Sequence, residues 1–108
     1  MKRGEVWWVE FDPAVGSEIR KTRPAVIMSN DAANRNLARV VVIPATSNAE
    51  RVYPGEALIS INGVRSKVMS DQIMAADKKR LKQRIATLTP AEINSLEKAM
   101  MLHLGVAS

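Results

Sequence analysis

Four residues, Thr89-Pro90-Ala91-Glu92, divide this chain into two kinds of hydrophobic pattern and limit its fold more than any other feature. A threonine before a proline, with a glutamate three residues after the threonine, supplies an N-cap, a residue suited to the first helical position and a capping box. From there Ile93, Leu96, Met100 and Leu104 recur at helical spacing, and Gly105 follows the last of them. Upstream the apolar residues come instead in short runs of strand character. Residues 5–11 are rich in Val, Trp and Phe and stop at Asp12-Pro13. Residues 25–28 form a short continuous apolar run, as expected of a strand covered on both faces. Residues 40–43 are Val-Val-Val-Ile, closed by Pro44, and residues 57–61 and 64–69 flank Asn62-Gly63, the dipeptide of a two-residue hairpin turn. Residues 12–24 read as a loop, and residues 30–36 as a turn or a single helical turn. The pattern predicts a mainly β fold with one C-terminal helix, which packs its apolar stripe on a small, strongly bent sheet or barrel or on a partner.

A length of 108 residues bounds one domain, 1–108, with a core modest enough that dimerisation is expected to help it. With no cysteine, disulfides, thiolate zinc sites and thiol nucleophiles are excluded. The first residues lack the apolar core of a signal peptide, and no apolar run approaches the ~20 residues that span a bilayer. A cytoplasmic location without membrane contact is the expectation. Sixteen Lys and Arg against eleven Asp and Glu give +5 and a pI near 10.0, a balance suited to a polyanionic partner. The cations cluster: Arg20, Lys21 and Arg23 in one segment, and Lys78, Lys79, Arg80, Lys82 and Arg84 in another. The second cluster reads more readily as a solvated face than as a binding track.

Most catalytic kits are missing. The single histidine, His103, falls near the end of the predicted helix, where a positive charge is merely stabilising. No paired histidines or tight carboxylate cluster suggests a metal, and no glycine-rich loop suggests a nucleotide cofactor. An enzyme built from this chain needs neither metal nor histidine. RNA cleavage meets that condition, because the ribose 2′-hydroxyl is the nucleophile and the protein has only to orient it and stabilise developing charge. An arginine fork matches two phosphate oxygens, and a hydroxyl adds a further hydrogen bond in the manner of an oxyanion hole. Arg23, before Pro24 at the entry of one predicted strand, and Thr46, after Pro44 at the end of the next, are placed to meet at one rim. On residue types alone, a surface ion pair at Arg23 and a turn role for Thr46 are the commoner readings. Trp7 and Trp8 are expected on opposite faces of the first strand, where core or dimer packing outweighs stacking on a base.

The run RGEVWWVEFDPAVGSEIRKTRPAVIMSNDAANRN resembles the amino-terminal signature of the MazF/PemK (Kid-type) toxins. VVVIPATSN is similar to that family's third strand and its Thr-Ser segment, VMSDQI to its acidic-Gln-Ile segment, and DKKRL with the helix ending in LHLG to its closing region. Each motif alone is weak, but together they run in order along essentially the whole chain. The resemblance implies a CcdB/PemK-like SH3-like barrel, assembled as a homodimer. It also implies the toxin of a type II toxin–antitoxin system, a metal-independent endoribonuclease that cuts single-stranded RNA at specific sequences. The products would be a 2′,3′-cyclic phosphate and a 5′-hydroxyl. Carried over by position, the catalytic pair is Arg23 and Thr46, and the RNA-binding residues are Ser17, Glu18, Arg20, Lys21, Thr22, Ser66, Asp71 and Gln72. No cofactor is implied. The partner implied is a cognate antitoxin whose tail fills the RNA groove. Arg20-Lys21 stands where many relatives have a Gly-Gly or similar pair, and Met74 where an arginine often follows the Gln-Ile pair. Both departures bear on which RNA is recognised. Two rivals remain from other classes: a non-catalytic CcdB-like toxin that inhibits a protein such as gyrase, and an RNA-binding module without chemistry.

Overall fold

The computed structural model describes residues 1–11 and 21–106. Seven strands and two helices follow in the order β1 (Glu5–Phe11), β2 (Lys21–Ile27), α1 (Asp31–Asn36), β3 (Arg39–Thr46), β4 (Glu56–Ile61), β5 (Val64–Met69), β6 (Met74–Asp77), β7 (Leu81–Thr87) and α2 (Pro90–Leu104). All pairings are antiparallel, with the spatial order β4-β5-β3-β2-β1-β7 and β6 on β3. The sheet curls into a half-barrel and carries α2 against β4.

The bend has a local cause. Along one edge of β3, β6 pairs with Arg39–Val42 and β5 pairs with Ala45 and Thr46. Between the pairs Val42↔Met74 and Ala45↔Val68, β3 advances three residues while the opposing chain advances six. The three extra residues form the 3₁₀ turn Ser70–Gln72. An insertion of this kind bends the strand as a bulge does. The β4–β5 hairpin is thereby set apart from the rest of the sheet. Its turn is the one the dipeptide predicts, with φ of 49° at Asn62 and 83° at Gly63, both left-handed.

Strand alternation sends side chains to two separate cores. Val6, Val26, Ile43, Ala45, Ile59, Val68 and Leu96 share one core beneath the hairpin and α2. Val9, Ala25, Ile27, Val40, Val42 and Leu81 share the other, with Trp7 and Phe11 packed against it. Because both faces are covered, residues 25–28 are all buried, as their unbroken apolar run predicts. Each fully buried Val, Ile or Leu contributes about 1.5–3 kcal/mol.

The helix begins as predicted. The Thr89 hydroxyl accepts from the Glu92 N–H at 3.2 Å, and the Thr89 N–H donates to Glu92 Oε1 at 2.9 Å. Glu92 Oε2 accepts in addition from the Ser60 N–H at 2.7 Å, so one carboxylate ties the helix to β4. Burial pushes the Glu92 carboxyl up, but these backbone N–H donors outweigh it and hold it below the usual range. At the other end Gly105 is left-handed, and the Val106 N–H returns to the Met101 carbonyl, closing the helix.

Three differences from the sequence expectation are instructive. Ala99, outside the expected stripe of Ile93, Leu96, Met100 and Leu104, is buried, while Leu104 is 52% exposed in this chain, open to the partner that the stripe is also expected to meet. Residues 21–24, expected in a loop, belong to β2, whose pairing with β1 extends to Phe11↔Lys21. Backbone pairing overrides the turn-prone composition. Strands β6 and β7 carried no clear sequence signal, since their exposed and charged residues break the hydrophobic period.

Candidate active site

The ladder between β2 and β3 ends at Ala25↔Pro44. Pro24 and Pro44 sit at that end, and neither has an N–H to extend it. Beyond it β3 continues along β5, with Thr46 opposite Lys67, while β2 continues along β1, with Arg23 opposite Val9. The strands separate here, and a hollow of about 500 Å³ opens between them. The register of the ladder, carried two residues further, points Arg23 at Thr46. Both residues line the hollow, as the two predicted strand ends require.

Their chemical states differ from those of ordinary surface residues. Among the described residues no carboxylate pairs with Arg23, so its fork is uncommitted, and the ion-pair reading loses its partner. Thr46 does act in its turn: its Oγ1 accepts from the Asn48 N–H at 3.2 Å. That bond uses a lone pair and leaves the hydroxyl proton available to a ligand oxygen. Ser47 and Ser66 line the same space. Ser66 is buried, and its hydroxyl donates to the Val64 carbonyl at 3.3 Å. The remaining walls are largely apolar: Trp8, Pro24, Ala45, Ile61, Val64 and Ile85, with Asn62 at the hairpin turn.

The other predicted residues fall elsewhere. Ser17, Glu18 and Arg20 lie outside the described residues. The backbone of Lys21 opens β2, and Thr22 beside Arg23 is exposed without lining the hollow. Asp71 and Gln72 lie in the 3₁₀ turn that bends the sheet. Asp71 lines a separate hollow of about 220 Å³ with Tyr53, Glu56 and His103, while Gln72 donates to Met69 Sδ at 3.5 Å. Neither is brought to Arg23. Of the predicted set, the structure gathers Arg23, Thr46 and Ser66. It adds Trp8, Asn62 and Ile85. Strand alternation carried a signal for Trp8, since Trp7 faces the second core. Asn62 and Ile85 come in by tertiary folding alone.

Among the described residues there is no group of three or more His, Asp or Glu placed to hold a metal ion. Also among them, no helix is long and apolar enough to cross a membrane.

Comparison with known proteins agrees with this architecture. A family profile described as "PemK-like, MazF-like toxin of type II toxin-antitoxin system" matches residues 2–104. Endoribonuclease MazF9 of Mycobacterium tuberculosis is 40% identical, over all of this chain and 99% of its own length. A mycobacterial endoribonuclease solved in complex with its cognate antitoxin superposes with a TM-score of 0.83 at 28% identity, covering 100% of this chain and 98% of that one. MazF in a MazE–MazF complex from Deinococcus radiodurans gives 0.83 at 26% identity, covering 99% and 97%.

Proposed function

This chain belongs to the PemK-like, MazF-like toxins of type II toxin–antitoxin systems, and from that premise we propose the chemistry by which it cuts RNA. It is an endoribonuclease, as its full-length relative is. The substrate is single-stranded RNA, cut at short specific sequences. The ribose 2′-hydroxyl gives up its proton and attacks the adjacent phosphorus, and the bond to the 5′-oxygen breaks as that oxygen takes up a proton from solvent, leaving a 2′,3′-cyclic phosphate and a 5′-hydroxyl. Negative charge grows on the non-bridging and leaving oxygens. Arg23 offers its fork to that charge, and Thr46 donates its free hydroxyl proton to a non-bridging oxygen. Arginine stays protonated in proteins and is therefore no base. The described lining of the hollow holds no carboxylate or imidazole, so the acceptor of the 2′-hydroxyl proton lies outside that lining.

One observation carries the reading: an arginine with no carboxylate partner among the described residues and a hydroxyl with a free proton line one hollow where two strands diverge. The remaining parts of the proposal follow the family. Residues 1–108 act as one domain in the cytoplasm, where the RNA is. A homodimer would cover apolar area such as Leu102, Leu104 and Val106, each more than half exposed. A cognate antitoxin would silence the toxin by laying its tail in the hollow. Ser17, Glu18, Arg20, Lys21, Thr22, Asp71 and Gln72 would extend contacts along the RNA.

The test is cleavage of a long mixed-sequence RNA in EDTA, with both product ends mapped, followed by the same site carrying 2′-deoxyribose at the scissile nucleotide. Discrete cuts ending in cyclic phosphate are expected, and the deoxy substrate should bind and stay whole. Cleavage of the deoxy substrate would refute the 2′-hydroxyl mechanism.

A further inference from the structure

The hollow is chemically divided. Arg23, Thr46 and Ser47 supply its polar part, whereas Trp8, Ile61, Val64 and Ile85 make an apolar wall with Asn62 beside them. A phosphodiester needs only the first part. The second is left without a role in the chemistry above.

Trp8 is the unusual member of that wall. Its neighbours Trp7 and Val9 pack into the second core, and the Trp7 indole N–H is spent on Glu5 Oε1 at 3.0 Å. Trp8 instead lines the hollow and is 37% exposed. Its indole N–H has no partner among the described residues. The side chain sits between Pro24 on β2 and Gln83 on β7 as its cross-strand neighbours, in the middle of three paired strands. A large aromatic surface is thus mounted on rigid backbone beside the residues that meet the phosphate.

Asn62 faces the same space under a definite constraint. Its Nδ2 donates to the Ile85 carbonyl at 2.9 Å, which links the hairpin turn to β7. A carbonyl accepts only, so the amide is oriented, and among the described residues its Oδ1 has no donor and remains an unspent acceptor. Apolar walls, an aromatic plane and a single oriented acceptor match a nucleobase, which has two π-faces and an edge of hydrogen-bond donors.

We propose that the apolar half of this hollow is a nucleobase subsite, in which the base next to the scissile phosphate stacks on Trp8 and presents an N–H donor to Asn62 Oδ1. This rests on the endoribonuclease reading, since it takes the Arg23–Thr46 end as the phosphate position. Bases with an exocyclic amine or a ring N–H on the facing edge are favoured, and this contact sets part of the sequence preference. Stacking gives affinity with little choice among bases; Asn62 gives the choice.

Two measurements test it, one independent of turnover. In a Trp7→Phe protein, Trp8 is the sole tryptophan, and an uncleavable 2′-O-methyl oligonucleotide of the cleaved sequence is titrated against its fluorescence. Saturable quenching is expected, and an oligonucleotide abasic at the position next to the scissile phosphate should quench far less. Equal quenching by the abasic probe overturns the subsite. In cleavage, Trp8→Ala should lower kcat/KM by about ten- to a hundredfold, the range of one lost stacking contact, while Trp8→Phe should recover most of it. Asn62→Gly keeps the left-handed turn and removes only the amide, so it should flatten the base preference at one position and leave the rate on the best substrate within about tenfold. Unchanged preference in Asn62→Gly, or a Trp8→Ala protein that changes its oligomeric state and not its RNA contacts, would overturn the assignment. A wild-type protein that binds the oligonucleotide with Trp8 quenching yet cuts no RNA would leave the subsite standing and refute the endoribonuclease reading instead.

Discussion

The hollow and the basic edge at residues 78–84 are the two places where this chain gathers cations or donors, and they use them in opposite ways. The edge is far the richer in charge, with five Lys or Arg in seven residues. Much of that charge is committed. Arg84 pairs with Glu5 at 3.3 Å, Lys82 lies 3.8 Å from Glu10 and donates to the Lys79 carbonyl at 3.0 Å, and Arg80 donates to the Glu10 carbonyl at 3.3 Å. These bonds fasten β7 to β1 and close the 3₁₀ turn Lys78–Arg80 that precedes β7. Among the described residues the hollow has a single cation, Arg23, and that cation is uncommitted among them. On the function proposed above, charge density does not locate the site; unspent donor capacity in a concave place does.

The sharpest way to break the comparison is to remove one cation from each region. Arg23→Ala should lower kcat by about 10²–10³-fold, the usual cost of losing one donor to a developing oxyanion, with Thr46→Val behind it. Arg84→Ala should leave kcat within about threefold, as a surface ion pair's loss does. Single-turnover cleavage of a mapped site measures all three. A loss in Arg84→Ala equal to that in Arg23→Ala would abolish the distinction.

A smaller effect is expected in binding. Replacing Lys78, Lys79 and Lys82 together by Ala should weaken affinity for an uncleavable RNA only a few-fold at physiological salt. On a logarithmic plot of affinity against salt, each phosphate contact on a single strand contributes about 0.7 to the slope. The triple variant should change the slope by less than one such increment. A fall of two increments or more would make the edge an RNA track.

The parts of this molecule that were legible in the sequence are those decided over a few residues. Asn62-Gly63 sets its turn through left-handed φ, Thr89 and Glu92 cap their helix within four residues, and the unbroken run 25–28 announces a strand buried on both faces. Arg23 and Thr46 were placeable because each adjoins or closely follows a proline where the β2–β3 ladder ends, although Arg23 itself lies inside β2. The lost parts depend on distant partners. Residues 21–24 become strand only because β1 offers Trp8–Phe11 to pair with, and β7 has too exposed an outer surface to show a period. Asp71 and Gln72, expected further along the groove, lie in the turn between β5 and β6, whose place depends on how that turn bends the sheet. Trp8 and Asn62 meet in one wall from strands more than fifty residues apart, which no local pattern announces.

The smallest effect concerns how the edge is spent. Glu5 is almost fully buried; burial pushes its carboxyl up, but hydrogen bonds from the Trp7 indole, the Lys2 N–H and Arg84 outweigh this and hold it below its ordinary 4.5. A folded value below the unfolded one contributes stability that is present above about pH 4.5 and is lost as pH falls through the folded value. Arg84→Ala removes one of the lowering contacts, so the folded value rises toward the unfolded one and the contribution shrinks. Because the Arg84 side chain is 60% exposed, solvent screens the pair, and the expected loss at pH 7 is only about 0.5–1 kcal/mol. Urea unfolding of the two proteins at pH 7, 5 and 3 reads this directly. As acid protonates Glu5 the pair weakens in the wild type, so the gap between the curves should narrow as pH falls. A gap that stays constant down to pH 3 would mean that Arg84 holds the edge through the packing of its stem, and that its charge, unlike that of Arg23, is incidental.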